Sequence, residues 1–210
     1  MMRTFSKHNL ISNELGLLPM SKKNWAGRII YSLYKKTNVE YTLSLPAPIY
    51  LRAEAFCEDI CELGETFFDQ RDLLIVLYDS FLYQVRKDDD VEVTYTQLMM
   101  LYELYTNKVP VKISRNDEDT HRDRFPSYRL LSEEKDLNNL VELEVSFERK
   151  HALRGEILLA DMEVLFPDHP FTLEKLLEML LFDFIEEYRK GNHKSAMKSI
   201  LQNLKSNKIK

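Results

Sequence analysis

The sequence predicts a helix-rich α+β protein with a small antiparallel sheet and a C-terminal helical hairpin. Three observations carry that expectation. Apolar residues recur at the helical period over most of the chain. Two segments, 39–45 and 141–147, instead alternate apolar with polar residues. The last forty residues hold two helical-period segments separated by Gly191. On this reading residues 1–113 are mainly helical, 114–126 form a charged loop, 127–171 carry the small sheet and 172–210 form the hairpin. A chain of 210 residues can hold all of these around one core.

Taken in order, Ser21 is placed to cap a helix running to about Lys36. Its Trp25, Ile29, Ile30, Leu33 and Tyr34 share one face, and Arg28, Lys35 and Lys36 make the other side cationic. Such a basic amphipathic helix packs on a core with a wet side, lies on a membrane surface or binds an acidic target. Val39, Tyr41, Leu43 and Leu45 alternate with Glu40, Thr42 and Ser44, a strand that ends at Pro46 and Pro48.

Helices follow at about 50–68, 71–87 and 96–107. The first has the stripe Ala53, Phe56, Cys57, Ile60, Cys61, Gly64, Phe67 and Phe68. The third is apolar almost all round, through Leu98, Met99, Met100, Leu101, Tyr102, Leu104 and Tyr105, which predicts a central position in the core. Val109, Val111 and Ile113 predict an edge strand because of Pro110. Val141, Leu143, Val145 and Phe147 alternate with Glu142, Glu144, Ser146 and Glu148. Segments 128–131 and 156–160 are the expected sheet partners, and the acidic face should meet solvent.

Thr172 should cap the most regular helix, with Leu173, Leu176, Leu177, Leu180, Leu181, Phe184, Ile185 and Tyr188 on the helical period. Gly191 should end it, and Asn192 should cap a last helix whose Met197, Ile200, Leu201 and Leu204 face back onto it.

Composition narrows the class. With 44% hydrophobic and 11% aromatic residues the chain is globular rather than disordered. It holds no uninterrupted apolar run of about 18 residues, so no membrane span is expected. The N-terminus lacks a signal-type apolar region. Cys57 and Cys61 are the only cysteines and make no disulfide framework. A cytoplasmic location is the resulting expectation.

The net charge of −5 conceals a split. Residues 1–36 carry seven basic residues and one acid, residues 189–210 carry seven basic residues and no acid, and the middle holds 15 basic against 33 acidic. The basic ends can dock on the acidic body, attract an acidic protein or meet nucleic acid.

Chemical motifs are weak. Cys57 and Cys61 sit one helical turn apart on an apolar stripe, without the further ligands that zinc needs, and read as core. Glu118-x-x-His121 and Glu148-x-x-His151 match the spacing of di-iron carboxylate bundles, but one lies in a charged loop and the other follows a strand. Asp168-His169-Pro170 reads as a turn leading into the long helix. Val93–Leu98 echoes an early helix of MarR-type winged-helix regulators, and 122–131 their wing. The space between is too short and polar for a recognition helix. No phosphate-binding loop, dinucleotide fingerprint, nucleophile elbow or zinc-protease motif occurs in the sequence. No catalytic residue, metal ligand or cofactor is assigned.

Ile185-Glu186-Glu187, Gly191-Asn192-His193-Lys194-Ser195-Ala196-Met197 and Leu201-Gln202-Asn203-Leu204 together resemble the short IDEAL domain of Bacillus-type proteins. The stretch is also similar to a tetratricopeptide turn, in which Gly191 and Ala196 would take the helix-end and close-packing places. Ile185-Glu186-Glu187-Tyr188-Arg189 keeps only the outline of the I-D-E-A-L segment, and the likeness covers about 30 residues. It implies a protein-interaction or regulatory element of a low-GC Gram-positive bacterium or its phage.

The leading expectation is therefore a non-enzymatic regulatory or adaptor protein whose partner is another protein, with Lys194, Lys198, Lys205 and Lys208 as contact residues on the hairpin. Removing 172–210 should then abolish partner capture and leave the body folded. The alternative is a nucleic-acid binder using Lys22, Lys23, Arg28, Lys35 and Lys36 together with the C-terminal lysines. A third reading is an enzyme with dispersed residues, drawn from Glu148, His151, Asp161 and His169, which must converge in a cleft.

Overall fold

The computed structural model describes residues 3–23, 25–35, 37–88, 90–106, 140–191 and 194–207. Its elements are α1 (Leu10–Lys23), α2 (Trp25–Lys35), β1 (Asn38–Pro46), α3 (Ala47–Gly64), α4 (Gln70–Asp88), α5 (Val91–Thr106), β2 (Leu140–Glu148), α6 (Arg149–Leu165), α7 (Leu173–Arg189) and α8 (Lys194–Asn207). The fold is helix-rich α+β, with eight helices and one two-stranded antiparallel sheet among the described residues.

The sheet joins distant parts of the chain. β1 pairs with β2 from Asn38↔Glu148 to Pro46↔Leu140. Val39, Tyr41, Leu43 and Leu45 are buried on one side with Leu143, Val145 and Phe147, while Glu40, Thr42, Glu142, Glu144 and Glu148 face outward. The acidic face expected of β2 is thus exposed. Its partner differs from expectation, because residues 156–160 lie inside α6. There Glu156, Leu158 and Leu159 are buried on a helix, and their short alternation is one sample of a 3.6-residue period. Segments 109–113, 114–126 and 128–131 lie outside the described residues.

The central helix is α7, not α5. Thr172 caps it, its hydroxyl accepting from Lys175 N at 3.2 Å. Leu173, Leu176, Leu177, Met179, Leu181 and Ile185 are fully buried against β1, α3, α4, α5 and α6. Gly191 follows the helix with φ +84°, a conformation that glycine adopts without a Cβ clash. Along α5 only Thr94 and Leu98 are buried, so its apolar surplus faces solvent.

The C-terminal hairpin is present, but α8 closes mainly onto α3. Ile200 is buried, and Leu201 Cδ2 lies 3.1 Å from where a Cβ on Gly64 would stand. At the other end, the single helix expected over 21–36 is two helices. Ser21 lies within α1, and α2 begins at Trp25.

The described N-terminal residues before α1 form a strap across the α6–α7 junction. Phe5 and Leu10 are buried, Phe5 O accepts from Leu173 N at 2.7 Å, and Lys7 N donates to Glu174 Oε1 at 2.9 Å. Ser6 Oγ donates to the fully buried Glu156, whose other oxygen accepts from Ile11 N at 3.1 Å. That carboxylate satisfies one donor in the strap and one in the first turn of α1.

Candidate functional site

Of the groups named as dispersed catalytic candidates, Glu148, His151 and His169 each have a partner outside the set. His169 is fully enclosed: its Nε2–H donates to Leu159 O at 2.9 Å, and its Nδ1 accepts from Phe171 N at 3.1 Å. Both nitrogens are used in holding the α6–α7 turn. His151 Nδ1 lies 3.4 Å from Asp79, and Glu148 pairs with Lys150 at 2.5 Å. That lysine holds the Glu148 carboxyl below its ordinary value. Asp161 is exposed on α6, ten residues beyond His151 and so about 15 Å along the helix. Glu148 and His151 are one turn apart, and the other two stand away from them.

Cys57 is buried and Cys61 half-buried on α3. Burial pushes the Cys57 thiol up to about 12. Cys61 Sγ donates to Phe68 O at 3.2 Å and accepts from Phe68 N at 3.3 Å, fixing the α3–α4 turn. Among the described residues no three His, Cys, Asp or Glu side chains form a group that could hold a metal ion. Glu118 and His121 lie outside the described residues.

The basic ends are divided in what they touch. Arg3 pairs with Glu163 at 2.5 Å and also donates to His169 O, so one terminal cation does dock on the acidic body. Arg189 and Lys190 pair at the C-terminal end of α7, with Glu186 at 2.7 Å and Glu187 at 2.8 Å. Arg28 on α2 and Lys198 on α8 are exposed. The most extensive packing of α2 is on α1 and that of α8 is on α3. Lys22, Lys23, Lys35, Lys194 and Lys205 lie on described helices, with side chains outside the described ones; Lys36 and Lys208 lie outside altogether.

The surface that sequence reasoning missed is the outer side of α5. Asp90 starts the helix, its Oδ1 accepting from Glu92 N at 2.9 Å and Val93 N at 3.1 Å. One face is bound to the body by aromatic contacts. Tyr95 stacks on Phe166 with ring centroids 3.7 Å apart, Tyr102 meets Phe171 edge-on, and Tyr105 meets Phe182 edge-on. Tyr105 also donates to Glu178 Oε2 at 3.2 Å; burial raises that phenol well above its ordinary value, and the carboxylate adds to the shift.

The opposite face presents Val93, Gln97, Met100 and Leu104 to solvent. Met100 is 61% and Leu104 63% exposed. Their spacing, i, i+4, i+7 and i+11, is that of a coiled-coil seam with glutamine at one position. A hollow of about 330 Å³ at the start of this face is lined by Asp90, Glu92, Val93, Thr96, Gln97 and Met100. The signal was present in the sequence, in a helix with more apolar positions than one buried face needs. Which face would be left over was not.

No helix among the described residues is long and apolar enough to cross a membrane. No family model, no curated protein and no solved structure matches the chain.

Proposed function

We propose that this chain is a non-enzymatic regulatory or adaptor protein that acts through protein–protein contacts, with the outer face of α5 as its main contact surface. The observation that carries the reading is the exposed Val93–Gln97–Met100–Leu104 seam on a helix whose other face is already packed. An apolar seam at this spacing fits an amphipathic helix of a partner protein laid alongside it. Asp90, Glu92 and Glu103 are exposed on the same helix or at its start, and α5 holds no Lys or Arg. The partner helix therefore carries basic residues beside its apolar stripe.

The likeness of the C-terminal hairpin to an interaction element supports the same class of function. On this reading Lys194, Lys198, Lys205 and Lys208 form a second contact on α8 and the tail beyond it, suited to an acidic region of the partner. Because α7 is the core helix, the contact element is α8 rather than the whole hairpin.

The test is affinity capture of the tagged chain from its native cells, with and without nuclease, for the parent and for Met100→Glu with Leu104→Glu. Both positions are exposed, so the variant should fold and melt like the parent. Loss of a nuclease-resistant partner from the variant is the expected result. An unchanged set of captured proteins would overturn the α5 assignment, and capture abolished by nuclease would favour the nucleic-acid alternative.

A further inference from the structure

A second surface on the molecule has a different chemistry. On α2, Trp25, Ile29 and Leu33 stand on one side of the helix at successive four-residue steps, 76%, 49% and 62% exposed. Tyr34, at the far edge of the same apolar arc, is half-buried and packs on the Arg149 guanidinium, which lies 4.0 Å from its ring centroid. The helix therefore uses one part of its apolar arc to hold the body and leaves the other part open. Residues 15–39 contain Lys22, Lys23, Arg28, Lys35 and Lys36 and no Asp or Glu, a stretch of five cations in a chain of net charge −5. Arg28, one turn from the stripe, is exposed.

We propose that α2 docks the protein on the surface of an anionic phospholipid bilayer, lying in the interface with Trp25, Ile29 and Leu33 inserted and Arg28 and the flanking lysines at the headgroups. A short helix with a tryptophan and aliphatic residues on one side and only cations as charged neighbours has the composition of an interfacial helix. The lipid surface fits better than the other polyanionic occupants. Nucleic acid would engage the cations and stack on Trp25, but it would leave Ile29 and Leu33 in water. A two-fold contact between the α2 helices of two copies would bring two all-cationic stretches together. A partner helix laid alongside, as on α5, calls for apolar residues at alternating three- and four-residue steps, whereas Trp25, Ile29 and Leu33 keep a constant four-residue step that winds around the helix. A bilayer takes a convex stripe without shape complementarity. The helix lies on the membrane and does not cross it, in keeping with the absence of a spanning helix among the described residues. This inference rests on α2 and is independent of the α5 reading.

Trp25 is the only tryptophan in the chain, so its fluorescence reports on this surface alone. The experiment mixes the full chain with phosphatidylcholine vesicles, with and without phosphatidylglycerol, and reads Trp25 emission together with co-sedimentation. A blue shift and co-sedimentation are expected only with the anionic vesicles, and both should weaken as salt rises. Arg28→Ala should weaken binding about fivefold, and Leu33→Glu roughly tenfold or more, with far-UV circular dichroism unchanged in each. Failure of the parent chain to bind anionic vesicles would overturn the proposal. A blue shift that appears only on concentrating the protein, or only with an RNA oligonucleotide, would overturn it equally, and would reassign the stripe to a second copy or to nucleic acid. Protein capture through α5 is read in a separate assay without vesicles, so the two proposals can fail separately.

Discussion

Arg149, the first residue of α6, donates from Nε to Glu14 Oε1 on α1 at 3.2 Å, and both side chains are at least nine-tenths buried. The same guanidinium lies over the Tyr34 ring of α2. This one side chain ties both N-terminal helices to the body. Among the described residues Glu14 Oε2 and Arg149 Nη2 have no hydrogen-bond partner, so within them the pair is incompletely compensated. Removing one partner should be costly and replacing both should not. Glu14→Ala is expected to lose about 3 kcal/mol in urea unfolding, whereas Glu14→Leu with Arg149→Met should recover most of that loss. A single variant as stable as the parent would show that the pair contributes little.

Gly155 is set by a close approach rather than by backbone conformation. A Cβ there would overlap Tyr78 Oη and come within 2.8 Å of Leu173 Cδ1. Tyr78 is itself held by its hydroxyl, which donates to His151 O at 3.0 Å. Gly155→Ala should therefore destabilise by roughly 1–3 kcal/mol. Adding Tyr78→Phe removes the overlapping oxygen, so the double variant should be less destabilised than the sum of the single effects. Strict additivity in the double-mutant cycle would rule out this contact as the cause.

Truncation separates the two helices of the C-terminal hairpin. Removal of 192–210 takes away α8, which among its described side chains contributes buried Ile200 together with half-buried Met197, Leu201 and Leu204. That chain should fold with a lowered melting temperature. Removal of 172–210 also takes away α7 and its six fully buried apolar side chains, and should leave no cooperative thermal transition. The sequence suggested that the longer deletion would spare the body. The position of α7 reverses that expectation.

The Cys57 thiol, raised to about 12 by burial, should resist alkylation by iodoacetamide at pH 8, and Cys61 should react first. Full reactivity at Cys57 should appear only on unfolding. The sign of the pH effect follows from the shift. The unfolded thiol releases its proton near its ordinary value while the folded one retains it, so stability falls as pH rises from that value toward about 12. Cys57→Ala should flatten this alkaline decline. Alkylation of Cys57 in the native protein as fast as a free thiol would contradict the buried assignment.

By itself the sequence determined the elements whose signal is local. The alternation over 39–45 and 141–147 placed both strands, the periodicity from Leu173 to Tyr188 placed α7 between its Thr172 cap and Gly191, and the charges on β2 marked its wet face. Each of these is a pattern within a few residues, set by the period of the backbone. Tertiary structure alone decided the rest. Strand pairing across about a hundred residues depends on which complementary face the folded chain brings near, so among the described residues β1 pairs with β2, while 156–160 lies in a helix. Helix burial depends on how many faces neighbouring elements cover. For that reason α7 became central, α5 kept an open seam, and α2 left Trp25, Ile29 and Leu33 in solvent. The strap from Arg3 to Asn9 has no period to read; it is held by Leu173, Glu156 and Glu174, partners at least 145 residues away.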